Sequence, residues 1–201
     1  MTRGGWTRQI LRRLGAKYPV AEGLFFPDTY HFDSGSSDLL VLRRAYRLMQ
    51  GHLEEQWKGR ASSVPFATPY EALILASIVE KETGRPADRP LVAAVFVNRL
   101  RKGMLLQADP TVIYGMGLAY EGSNIRKRDL TTDTPYNTYT RTGLPPTPIA
   151  MPGLPALAAT LNPPASDVLF FVSKGDGTSH FSRTLGEHES AVTKYQRSRR
   201  R

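Results

Sequence analysis

A chain of 201 residues with 27 Lys and Arg against 18 Asp and Glu, a net charge of +9 and 40% hydrophobic content is long and apolar enough for one packed domain. Without cysteine it has neither a disulfide framework nor a thiolate metal site, and no stretch approaches the roughly 20 apolar residues of a membrane-crossing helix. The basic excess suits an anionic polymer, yet no RNP, KH or zinc-finger spacing accompanies it.

In chain order, residues 7–15 carry a short helical pattern stopped by Gly15, in a segment too polar for a signal peptide. Residues 22–32 are aromatic-rich and extended, punctuated by Pro27. Asp38 or the preceding serines cap a predicted amphipathic helix over 38–57, with Leu39, Leu42, Ala45, Tyr46, Met49 and Leu53 three or four apart. Thr68 and Pro69 open a second helix over 69–83, apolar on every side and therefore buried. A third spans 87–102, capped near Asp88 and stopped by Gly103.

Residues 104–153 read as loop-rich, with a short strand at 104–108 and either a strand or a helical turn at 111–114. A short helix fits 155–161. Residues 168–173 and 180–183 flank Lys174-Gly175-Asp176-Gly177 as a β-hairpin, and a last helix covers 184–197. Helices lead and strands follow, so the class is α+β: a helix-rich domain with a small hairpin and a loop-walled groove. Arg197, Arg199, Arg200 and Arg201 read as a solvated basic tail.

Three segments could carry chemistry. The buried helix ends in Glu80-Lys81-Glu82, where Glu80 shares a face with Leu73, Ala76 and Ser77, and Glu82 with Leu75, Ile78 and Val79. The two carboxylates point roughly 200° apart, so they form no face-to-face pair. One at the mouth of an apolar stripe would be desolvated and hold a proton near neutral pH, although periodicity alone favours both ending the helix in water. Gln107-Ala108-Asp109-Pro110-Thr111 either lines a cleft or is an Asp-Pro turn starting a helix. Tyr136-Asn137-Thr138-Tyr139 and the proline-rich 143–149 suit the wall of a carbohydrate groove, with a polyproline ligand as the other reading. His31, His52, His180 and His188 lack zinc-type spacing, and no Walker loop, GxSxG elbow or dinucleotide fingerprint appears, so no metal or cofactor is expected.

Glu22-Gly23-Leu24-Phe25-Phe26-Pro27-Asp28-Thr29-Tyr30, Leu75-Ala76-Ser77-Ile78-Val79-Glu80-Lys81-Glu82 and Val95-Phe96-Val97-Asn98-Arg99-Leu100 strongly resemble the YceG-like family of endolytic murein transglycosylases. So do 106–115, 136–139 and Gly143-Leu144-Pro145-Pro146, then Ile149-Ala150, Pro152-Gly153 and His180-Phe181, in the same order over about 20–195. The resemblance implies a lyase that cuts MurNAc–GlcNAc bonds of nascent peptidoglycan without water, leaves anhydromuramoyl ends and terminates glycan elongation. It makes Glu80 the acid/base. Gln107, Asp109, Thr111, Tyr136, Asn137 and Tyr139 are expected to line the groove, with Asn98 behind them. Residues 1–20 would be the remnant of a linker or LysM-like subdomain and 21–201 the catalytic domain with its basic tail. The whole protein would be a single-pass protein of the bacterial inner membrane, catalytic on the outer face, meeting glycan strands and peptidoglycan synthases but no nucleic acid. A muramidase using Asp109 or Glu82 as second carboxylate, or a non-catalytic glycan-binding module, are the alternatives.

Overall fold

The central element is the helix whose sequence is apolar all round. The computed structural model describes residues 3–120, 122 and 124–197. In it α3 (Pro69–Glu82) is buried without a break from Ala72 to Val79. Thr68 accepts the Glu71 N–H at its start, with Pro69 in the first turn where its missing N–H costs nothing. Two cores form on its two sides. Leu75, Ile78 and Val79 pack with Val92, Phe96 and Val97 of α4 (Arg89–Arg101) and with Ala156 and Leu161 of α7 (Leu154–Leu161). Leu73 and Ala76 face Leu24, Phe25 and the stripe Ala45, Met49 and Leu53 of α2 (Asp38–Lys58). Leu11 of α1 (Arg3–Leu14) joins this second core. Full burial of one such leucine contributes about 1.5–3 kcal/mol, so α3 anchors everything around it.

Polar ties then fix the loops that border the site. Ser77 Oγ donates to Ile74 O and accepts the Ile149 N–H at 2.9 Å, which pins the proline-rich segment to α3. Asp88 stands just before α4, at its N-cap, but makes no side-chain cap there; its Oδ2 accepts the Ser179 N–H at 2.8 Å. The hairpin β1 (Phe170–Ser173) and β2 (Ser179–Ser182) is antiparallel, with Phe171 opposite Phe181 and both rings against the first core.

The fold departs from expectation in the loop-rich half. Residues 104–108 are irregular and have no partner strand among the described residues. Their backbone is satisfied instead by Arg99 and Thr138, the latter accepting the Ala108 N–H and meeting the Gln107 N–H through its carbonyl. Asp109-Pro110 starts a helix, α5 (Asp109–Met116), which continues into a 3₁₀ turn at Gly117–Ala119, so 111–114 is helical. A short α6 (Lys127–Thr131) lies where only loop was expected. The last helix, α8 (Leu185–Val192), starts with a Thr184/Glu187 capping box and passes into a π-helical turn over Thr193–Arg197 instead of running on as α-helix. Arg199, Arg200 and Arg201 lie outside the described residues. No described helix is long and apolar enough to cross a membrane.

Candidate active site

The C-terminal end of α3 opens into a cleft of about 850 Å³. Its walls are the 83–85 loop, the strap Leu106-Gln107 with Asp109, the Tyr139 ring, the hairpin and α8. A volume of this size holds a few sugar units or a small peptide.

The two carboxylates of the Glu80-Lys81-Glu82 motif go to different places. Glu80 does not line the cleft. Its Oε2 accepts the N–H of Gly153, the cap of α7, at 3.1 Å, where an anion meets the positive end of a helix. Glu82 does line the cleft. Its Oε2 is buried, and no hydrogen-bond partner reaches it among the described residues. Burial pushes the Glu82 carboxyl up to about 7, the nearby Asp109 carboxylate pushes it the same way, and the Arg99 guanidinium pulls it down. This side chain therefore holds a proton close to neutral pH.

Of the other expected site residues, three meet Glu82 in the cleft: Gln107, Asp109 and Tyr139. The Tyr139 hydroxyl donates to Asp109 Oδ1 at 2.5 Å, and burial together with this bond raises the phenol above its ordinary value. Gln107 has φ +53°, a left-handed conformation that a non-glycine residue adopts at a cost of about 1 kcal/mol or more. Its side chain is held there by Arg99 Nη1, 3.1 Å from Oε1.

The remaining four serve the scaffold. Asn98 Nδ2 donates to the carbonyls of Ser166 and Val168, which fixes the approach to β1. Asn137 is buried, donates to the carbonyls of residues 129, 130 and 132, and accepts the Tyr139 N–H. Thr111 is buried between Ala108 O and Thr138 Oγ1. Tyr136 packs on Tyr114 and bonds Thr147 through its hydroxyl. None of these four lines the cleft.

Sequence reasoning gave Glu82, the carboxyl that the structure places in the cleft, only a secondary part, and it assigned no role to Arg99. Arg99 is a buried residue whose guanidinium donates to the carbonyls of Leu105, Leu106 and Leu169 besides Gln107. A signal existed, since Arg99 shares a helical face with Val92, Val95 and Phe96. His188 was weighed only as a metal ligand. It lines the cleft with its ring stacked on Phe170 at 5.2 Å and its Nδ1 buried without a partner, and burial and then Arg99 push its pKa down.

A protonated carboxyl in a cleft lined by hydrogen-bonding side chains, on a helix-rich α+β scaffold, fits domains that do general acid–base work on polar substrates. Residues 4–194 match the profile of the YceG-like family, and the chain belongs to that family. It is 38% identical over 179 residues to a Bacillus subtilis protein named endolytic murein transglycosylase, covering 89% of this chain and 49% of that one. A Streptococcus pneumoniae protein of the same name is 31% identical over 189 residues, covering 92% and 34%. The chain thus spans about half or less of the length of these relatives. The crystal structure of a YceG-like protein from Listeria monocytogenes superposes with a TM-score of 0.77 at 31% identity, over 95% of this chain and 65% of that one.

Proposed function

We propose that this domain is an endolytic lytic transglycosylase of peptidoglycan, with Glu82, rather than Glu80, as its single acid/base. The observation that carries this reading is the desolvated, unpartnered Glu82 carboxyl in the cleft, with the family's named relatives behind it. Glu82 first gives its proton to the oxygen of the MurNAc–GlcNAc bridge. The C1–O bond breaks and an oxocarbenium-like centre develops. The resulting carboxylate then takes the proton of the muramoyl C6 hydroxyl, whose oxygen closes on C1 as the anhydro ring. The proton lost by Glu82 is regained and no water is consumed.

Asp109 keeps its place as a fixed anion through the Tyr139 hydroxyl, and its charge is one of the two causes that hold the proton on Glu82. It is also what a second reading would use. A hydrolytic muramidase needs two carboxylates flanking one bond, and the cleft has two. Digesting sacculi and weighing the products decides between them: the lytic route gives muramoyl ends lighter by one water. Glu82→Gln is expected to lose about 10²–10⁴ in rate with the fold retained. Anhydromuramoyl release by that variant at the parent rate would remove the assignment. Attachment of the whole protein to the plasma membrane with this domain outside, termination of glycan elongation and cooperation with peptidoglycan synthases belong to the same proposal and rest on the family reading.

A further inference from the structure

The cleft has two chemically distinct halves, and the chemistry above uses one of them. Glu82, Asp109, Tyr139 and Gln107 form the acidic half. The opposite half is built from the hairpin turn, the 83–85 loop and α8, and it contributes Arg85 and His188. Among the described residues the ion pairs engage Lys58, Arg128, Arg141 and Arg183, and none engages Arg85. Its guanidinium lies against the hairpin turn, where a Cβ built on Gly177 would stand 3.8 Å from Nη1. Gly177 itself, at φ +85°, takes the left-handed turn conformation that glycine favours. The hairpin is locked in place beneath it: Asp88 accepts the Ser179 N–H, and Asp176 Oδ1 accepts both the N–H and the hydroxyl of Thr178.

A saccharide backbone of N-acetyl sugars carries no charge, so an unneutralised guanidinium in its cleft has nothing ionic to bind on the sugars themselves. The anionic part of a muramoyl glycan is the peptide in amide linkage to its lactyl group, which bears free carboxylates. Guanidinium is the side chain that holds a carboxylate through two parallel bonds. We propose that the hairpin half of the cleft is a subsite for the acidic stem peptide, with Arg85 binding a peptide carboxylate and His188 forming part of the wall. This rests on the glycan-cleaving reading and adds to it a preference for strands that still carry their peptides.

The test compares stem-bearing glycan strands with strands stripped of peptide by an amidase. The ratio of kcat/KM on the two substrates is expected to fall about tenfold in Arg85→Ala, through KM, and to recover in part in Arg85→Lys, which restores charge without the fork. An unchanged ratio would overturn the subsite. The same comparison as binding affinity, with Glu82→Gln protein with and without Arg85→Ala, separates the two readings. If the parent chain cut neither substrate, the catalytic proposal would fail, while a loss of peptide-dependent affinity on removing Arg85 would still support the subsite and equal affinities would refute it.

Discussion

Two carboxylates one residue apart at the end of a single helix have been given opposite surroundings. On one side of α3, the Glu80 carboxyl accepts the N–H of Gly153, the residue that caps α7. On the other, Glu82 is buried near the Asp109 and Arg99 side chains, with one carboxyl oxygen that no hydrogen bond reaches among the described residues. Burying an ionised, unpaired carboxylate costs more than burying its acid form, so the second site favours the protonated carboxyl. Identical side chains thus end up bonded to a helix start in one case and desolvated in a cleft in the other, by virtue of what the chain brings against them from more than twenty residues away.

The largest expected contrast between the two sides is catalytic. Glu82→Gln should lose about 10²–10⁴ in glycan cleavage while Glu80→Gln keeps the parent rate within a few-fold, measured on the same sacculi. Equal losses in both would erase the distinction. Next comes pH. Because Glu82 must enter the reaction protonated, cleavage should decline as pH rises through about 7. Asp109→Asn removes one of the causes that raise the Glu82 carboxyl, so the declining limb should move to lower pH, whereas a limb that stays in place would show that another group titrates. Stability follows the same proton. With the folded value raised to about 7 from 4.5, the native chain binds more protons than the unfolded one between those limits. The contribution of the protonated carboxyl is complete below about 4.5 and is lost as pH rises through 7, at most about 3 kcal/mol. Glu82→Gln lacks this loss, so its melting temperature should gain on the parent between pH 5 and 8.

The sequence could not have ranked these two residues by face, because α3 is apolar all round and both faces are buried. Helical periodicity identifies which residues share a side and is silent on whether that side meets another helix or a cleft. The long helices and the hairpin were readable because each is set by local signals: Thr68-Pro69, the stripe of α2, Lys174-Gly175-Asp176-Gly177. The strap at 104–108 forms no strand because its carbonyls go largely to the Arg99 side chain and its N–H groups to Thr138, and no strand pattern encodes those partners. Asn98, Thr111 and Asn137 failed as groove residues for a related reason. A loop-rich half leaves many backbone carbonyls and amides to satisfy, and buried amide and hydroxyl side chains are spent on them. Gln107, Asp109 and Tyr139 reached the cleft because the same ties aim them outward from a fixed strap.

The smallest effects test whether the Glu80 side is structural, as its surroundings imply, and whether the strap is held in a form the cleft needs. Glu80→Ala removes both the bond to Gly153 and the anion at the start of α7, which should cost about 1 kcal/mol. For a chain of this size that is a fall of about 2–4 °C in Tm, with cleavage per folded molecule retained. Gln107→Gly works in the opposite sense. Glycine accepts φ +53° freely, so relief of the left-handed strain offsets the lost bond from Arg99, and Tm should stay within about 2 °C of the parent. Cleavage, however, should fall several-fold, because the amide presented by Arg99 to the cleft is gone. A Gly variant that both melts like the parent and cuts like it would mean that the strained conformation at residue 107 serves only the path of the chain, and that the acidic half of the cleft works through Glu82, Asp109 and Tyr139 alone.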